Sequence, residues 1–275
     1  MDWRPWVDAP SRSGVITDFD GTLAPIVDDP AAARPLRGAV GALSAVAKKL
    51  AVVAVVSGRP VDYLVQHFGE APGLVLVGMH GLERQQNGER GVSGPALEWR
   101  PVVSRVADLA ETEAPDGVEV ERKGLSLTLH ARGAPQAMPW VSTWAKRQAQ
   151  TSGLRAQPGK MSVELLPPVQ ADKGTVVEEL ARGLQAVCFF GDDIGDLPAF
   201  AALRRLRASG LGGFGIAVAS REQPEELAGA ADLVVDSPEA VVEMLQTLAA
   251  ALTGSDKEPP PFTGSHPARV PGQGA

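Results

Sequence analysis

The chain reads as an α/β protein: a parallel-sheet core interrupted by an inserted α+β module. Three observations predict this. Short apolar, β-rich runs alternate with helical stripes in the first hundred residues and again after residue 168, the pattern of a parallel sheet with helical crossovers. Several of those runs end abruptly in Asp, Ser or Gly, as strands do at the functional edge of such a sheet. Between the two stretches, strand-length segments are joined by short turns, as in hairpins.

Taken in order, 15–18 is the first strand. Over 36–50, Leu36, Val40, Leu43, Val46, Ala47 and Leu50 form a helical stripe. The unbroken apolar run 51–56 is a buried central strand, and 74–77 is another. The middle is read as helix 102–113, strands 118–121 and 125–129, helix 137–151, and strands 154–157 and 162–166. Lys123-Gly124 and Gly159-Lys160 supply its turns. A helix opening at Asp172 carries Val176, Val177, Leu180 and Ala181 inward, and strands follow at 186–190, 215–219 and 233–235. The expected domains are therefore a core of 1–99 and 168–252, an inserted module of 100–167, and a disordered tail over 253–275, where Pro and Gly crowd out apolar residues.

Bulk properties narrow the function. With 275 residues, 44% of them apolar, the chain can bury a large core. One cysteine, Cys188, excludes an internal disulfide framework and fits a reducing compartment. A net charge of −7 offers no electrostatic footprint for nucleic acid or an anionic membrane. The N-terminus lacks the basic-then-apolar pattern of a signal peptide, and no apolar run approaches the ~20 residues that span a bilayer. The expectation is a soluble cytoplasmic protein that binds neither nucleic acid nor membrane.

Four polar clusters carry chemistry. Asp18 and Asp20, followed by Gly21-Thr22, close the first strand. Residues two apart on an extended strand share a face, so both carboxylates would converge. Such a pair suits a cation, or a nucleophile beside an acid/base, although strand ends also turn with Asp and Gly. Ser57-Gly58-Arg59 follows the second strand, where a hydroxyl and backbone N–H groups could hold a phosphate oxygen or simply make a turn. In Asp172-Lys173-Gly174, Asp172 suits a helix N-cap, whereas Lys173 opposes the macrodipole. Lys173 therefore either faces an anion or is a solvated side chain. Gly191-Asp192-Asp193-Ile194-Gly195-Asp196 places three carboxylates within five residues, more than capping requires and suited to Mg²⁺. One Cys and four scattered His make zinc a poor fit.

The order D-x-D-G-T, Ser, Lys, G-D-D-x-x-D resembles the haloacid dehalogenase superfamily of phosphotransferases, whose core is a Rossmann-like parallel sheet. The resemblance implies that Asp18 is the nucleophile, Asp20 the acid/base, and Lys173 the cation offsetting the charge of the transferring phosphoryl group and of Asp18. Thr22, Ser57, Gly58 and Arg59 would bind phosphate. Mg²⁺ would be held by Asp18, the Asp20 carbonyl and Asp192, supported by Asp193 and Asp196, and the reaction would pass through phospho-Asp18. The inserted module then stands where the superfamily carries a cap. Its polar clusters, Glu121-Arg122-Lys123, His130-Ala131-Arg132 and 159–164, are composed like hydroxyl readers, and equally like solvated hairpin charges.

Four segments carry a closer resemblance, to trehalose-6-phosphate phosphatases: Gly78-Met79-His80-Gly81-Leu82-Glu83, Glu121-Arg122-Lys123-Gly124-Leu125-Ser126 with His130-Ala131-Arg132, residues 159–164, and Gly191-Asp192-Asp193. By that resemblance Glu121, Lys123 and Glu164 bind hydroxyls of a disaccharide phosphate, and Arg132 and His80 lie near the closed site. A functional link to a trehalose-phosphate synthase follows as an expectation. The competing readings are a phosphatase for sucrose 6-phosphate or mannosyl-3-phosphoglycerate, and a non-catalytic sugar-phosphate-binding regulator.

Overall fold

Alternation along each central strand builds the core in two halves. The computed structural model describes residues 1–27, 29–69, 71–159, 161–219 and 225–254. Its larger sheet contains β1 (Ser13–Thr17), β2 (Val52–Val56), β3 (Leu74–Gly78), β4 (Glu83–Gln86) and β5 (Glu89–Val92), and, from later in the chain, β10 (Ala186–Gly191), β11 (Gly212–Val218) and β12 (Leu233–Val235). The order is β12-β11-β10-β1-β2-β3-β4-β5, parallel from β12 through β3. Val15, Val53, Val55, Cys188 and Phe190 face one apolar layer with the helices Ala39–Ala47 and Pro238–Leu252. Ile16, Ala54, Val56, Val187 and Phe189 face the other, with the helices Lys173–Leu180 and Leu197–Ala208. Both faces are thus covered, which is why these strands read as continuous apolar runs.

The strand order places the chemistry. The chain moves from β1 outward through β2 and β3, then returns to β10 on the opposite side of β1. This topological switch falls at the carboxyl ends of β1 and β10, the place where open α/β sheets bind their ligands. Thr17 pairs with Phe190, so Asp18 and the Gly191–Asp196 loop emerge side by side.

A second, four-stranded antiparallel sheet has β6 (Glu119–Arg122), β7 (Leu127–His130), β8 (Arg155–Gly159) and β9 (Ser162–Leu166) in the order β6-β7-β9-β8. Leu127, Leu129, Val163 and Leu165 point to the helices Arg100–Glu113 and Met138–Ser152, which supply Val103, Val106, Val141 and Trp144.

The observed class is the expected one, and the differences are local. The strands expected at 15–18 and 215–219 begin two and three residues earlier, at Ser13 and Gly212. The helix Val61–Phe68 and the antiparallel pair β4–β5 were not foreseen. The latter is made of polar residues without an apolar run; its readable signal is Asn87-Gly88, both with positive φ, the turn that matches strand twist. The chain divides into two compact units, Met1–Arg90 with Ala171–Ala275, and Gly91–Gln170. The second unit starts earlier than residue 100 because Trp99 packs on its apolar cluster. The expected 253–275 tail lies outside the described residues from 255 on, as does Lys160 of the second expected turn. Among the described residues no helix is long and apolar enough to cross a membrane.

Candidate active site and a polar sheet face

In the first unit, Asp18 directly follows β1, its N–H donating to the Phe190 carbonyl at 2.8 Å. Asp172 caps the helix Lys173–Leu180 by accepting the Thr175 N–H at 2.8 Å, as its position suggested. Lys173 is not a solvated side chain. It is 4% exposed, and its Nζ donates to Asp18 Oδ1 at 2.6 Å and to Asp196 Oδ1 at 2.7 Å. The other Asp196 oxygen accepts the N–H groups of Asp192 and Asp193 at 2.9 and 3.2 Å. Asp196 is therefore fully engaged as a brace that shapes the Gly191–Asp193 segment. Thr22 Oγ1 lies 3.5 Å from Asp192 Oδ1.

Asp18, Asp192 and Asp196, all buried, offer oxygens within 4.8 Å of one another. Burial raises the Asp18 carboxyl well above its ordinary range; Lys173 opposes this, while Asp196, Asp192 and Asp193 add to it. Burial and then Asp193 and Asp196 push Asp192 up to about 7 against the pull of Lys173. Burial alone would lower Lys173, but Asp18, Asp196 and Asp193 outweigh it and hold the ammonium charged. Three buried carboxyls share one ammonium, so full ionisation leaves the cluster with uncompensated negative charge. Hard oxygen donors with excess negative charge fit a small divalent cation. Asp193 does not join this trio; its side chain is exposed.

The Ser57–Arg59 turn follows β2. Ser57 is buried and its Oγ accepts the Arg59 N–H at 3.1 Å. Arg59, expected to bind phosphate, grips Asp20 with two hydrogen bonds, Nε to Oδ2 at 2.8 Å and Nη2 to Oδ1 at 2.7 Å. Its guanidinium also lies 4.5 Å from the Tyr63 ring centroid, a cation–π contact. A left-handed turn braces this loop. Met79 and His80 have φ of 51° and 55°, and their N–H groups donate to the Arg59 and Ser57 carbonyls at 2.9 and 3.0 Å. The His80 ring lies 2.8 Å from where a Gly58 Cβ would project, so Gly58 admits it. Glu83 Oε2 accepts the Val61 N–H at 2.8 Å and anchors the next helix. Tyr63 and Glu83 were not assigned to this site; Tyr63 only follows the Ser57–Arg59 motif, and Glu83 closes the segment 78–83 that carries the resemblance.

In the second unit, Glu121, Lys123 and Glu164 come together. Lys123 Nζ lies 3.4 Å from Glu164 Oε1 and 3.7 Å from Glu121 Oε2. Ser126 Oγ donates to Glu164 Oε1 at 2.5 Å, and His130 Nε2 is 2.9 Å from Glu121 Oε2. Ser126 and His130 lie in the segments that carry the resemblance but were assigned no individual role. The signal was the alternation from 126 to 130, which sets them opposite Leu127 and Leu129. Arg132 is exposed just beyond β7.

A family model described as trehalose-phosphatase matches residues 16–239. The chain is 34% identical over 246 residues to a trehalose-phosphate phosphatase of Mycobacterium avium (strain 104), covering 86% of this chain and 61% of that one. It is 33% identical over 262 residues to one of Mycobacterium leprae (strain TN), covering 90% and 59%. The chain thus spans about three fifths of the length of these curated relatives. A solved structure titled as a trehalose-6-phosphate phosphatase related protein superposes with a TM-score of 0.73 at 22% identity, over 89% of this chain and all of that one, which speaks to the fold.

Proposed function

The chain belongs to the trehalose-phosphatase family, and we propose that it is a Mg²⁺-dependent phosphatase that hydrolyses trehalose 6-phosphate to trehalose and phosphate. The observation that carries this reading is the buried charge cluster, in which Lys173 bonds Asp18 and Asp196 and Asp192 stands beside them. A cluster this costly to bury is hard to explain in a protein that only binds.

In the proposed reaction an Asp18 oxygen attacks phosphorus while the bond from phosphorus to O6 of trehalose breaks, and Asp20 gives a proton to the departing oxygen. A water, deprotonated by Asp20, then attacks the same phosphorus; the bond to Asp18 breaks and phosphate leaves. Lys173 neutralises Asp18 before attack and holds its carboxylate in line. Thr22, Ser57 and the N–H groups of the Ser57–Arg59 turn hold the transferring oxygens. Arg59 orients Asp20 through its paired bonds. The Asp18 and Asp192 carboxylates and the Asp20 carbonyl would hold Mg²⁺, with Asp196 shaping the loop and Asp193 supporting it; the cation supplies charge neutralisation at the phosphoryl oxygens. Glu121, Lys123 and Glu164 read hydroxyls of the disaccharide, with Arg132 and His80 as further substrate contacts.

The test is phosphate release from trehalose 6-phosphate, sucrose 6-phosphate, glucose 6-phosphate and mannosyl-3-phosphoglycerate, each with Mg²⁺ and with EDTA. Mg²⁺-dependent preference for trehalose 6-phosphate supports the reading. Preference for another substrate keeps the chemistry and discards the sugar assignment, and no release from any of them overturns both.

A further inference from the structure

We infer that Thr128 is a specificity-determining residue whose hydroxyl pairs with a sugar hydroxyl of the substrate; this rests on the reading that the polar sheet face of the second unit takes the disaccharide. Thr128 lies mid-strand in β7 and is 4% exposed. Its cross-strand neighbours are Glu121 on β6 and Glu164 on β9, and Gln157 on β8 continues the row. Leu127 and Leu129, on either side, enter the apolar layer under the helices, so Thr128 takes the opposite, polar face with Ser126 and His130.

The two carboxylates that flank Thr128 in that row are partnered, whereas the Thr128 hydroxyl has no partner among the described residues. Ser126 bonds Glu164, His130 meets Glu121, and Lys123 approaches both carboxylates. The Thr128 Oγ1 is buried and lacks a hydrogen-bond partner among the described residues. Buried hydroxyls are ordinarily satisfied, and leaving one bare is unfavourable. Valine would match its shape, keep its β-branching and suit the strand. A hydroxyl retained at such a place, between two carboxylates that accept sugar hydroxyls, is accounted for by a ligand that completes it. A sugar hydroxyl fits because it can donate to Glu121 or Glu164 and accept from Thr128 at once.

The inference predicts opposite signs for stability and selectivity. Thr128→Val should raise Tm by a few °C, because it removes an unsatisfied group. It should also lower kcat/KM for trehalose 6-phosphate relative to p-nitrophenyl phosphate by about five- to tenfold, the worth of one neutral hydrogen bond. Thr128→Ser keeps the hydroxyl and should hold that ratio within about twofold of wild type. A valine variant with an unchanged ratio overturns the inference, as does one that loses both substrates equally with a lowered Tm, which marks a structural role. Should the valine protein fail to fold, Thr128→Ala carries the same ratio. Wild type that ignores trehalose 6-phosphate overturns the underlying reading instead.

Discussion

Replacing Lys173 with Met tests the charge cluster most directly, because it removes the ammonium and keeps most of the stem. At an effective dielectric of about 20, unit charges at 2.6 and 2.7 Å each attract by about 6 kcal/mol. Burying the three charges offsets much of that. What truncation exposes is the penalty of leaving Asp18 and Asp196 buried without their partner, about 3–5 kcal/mol. At roughly 2–4 °C per kcal/mol for a chain of this size, the loss is on the order of 6–20 °C in Tm. Urea unfolding in EDTA, followed by tryptophan fluorescence, gives the number for wild type, Lys173→Met, Asp18→Asn and the double variant. The double variant should cost less than the sum of the singles by at least about 1.5 kcal/mol, since the two groups are in contact. The deficit of Lys173→Met should also shrink toward acid pH, where the stranded carboxyls take up protons. Additive effects, or a deficit under about 1 kcal/mol, would refute the account of Lys173 as the buried counter-ion.

Arg59→Ala frees Asp20, so hydrolysis of trehalose 6-phosphate should fall by about 10²-fold, while an aryl phosphate whose leaving group needs no proton should fall far less; equal losses would return Arg59 to a phosphate-binding role. Asp192, raised to about 7 from 3.8, contributes stability that is fully present below pH 3.8 and is lost as pH rises to about 7, so the cation-free protein should weaken across that window. Divalent cation displaces that proton, so apparent Mg²⁺ affinity in calorimetry should rise by up to about tenfold per pH unit below 7 and level off above it. Gly21→Ala puts a Cβ 1.9 Å from Asp192 Oδ2 at a φ of +78°; the variant should lose at least about 10²-fold in activity together with its Mg²⁺ response, and wild-type behaviour in both assays would contradict the described loop. Glu164→Ala should strip Ser126 and Lys123 of a shared partner and lower use of trehalose 6-phosphate by about tenfold or more relative to p-nitrophenyl phosphate.

Much of the fold was legible because burial on both sheet faces leaves unbroken apolar runs, and because strand ends must change chemistry where the backbone meets solvent. Local rules also marked Asp172 as a cap. The β4–β5 edge was not legible, since polar strands carry no hydrophobic period. Long-range pairing lay beyond local rules altogether. Lys173 could be recognised as misplaced against its helix dipole, yet its two partners stand 155 and 23 residues away and meet it only because β1 and β10 are neighbours at the switch point. Arg59 looked like a phosphate ligand from its motif, and its grip on Asp20 depends on β1 and β2 lying side by side. The bare hydroxyl of Thr128 is a statement about what surrounds it in three dimensions. Residue type and spacing determine which groups are capable of the chemistry; burial, strand order and the partners each group finds determine what each is held to do.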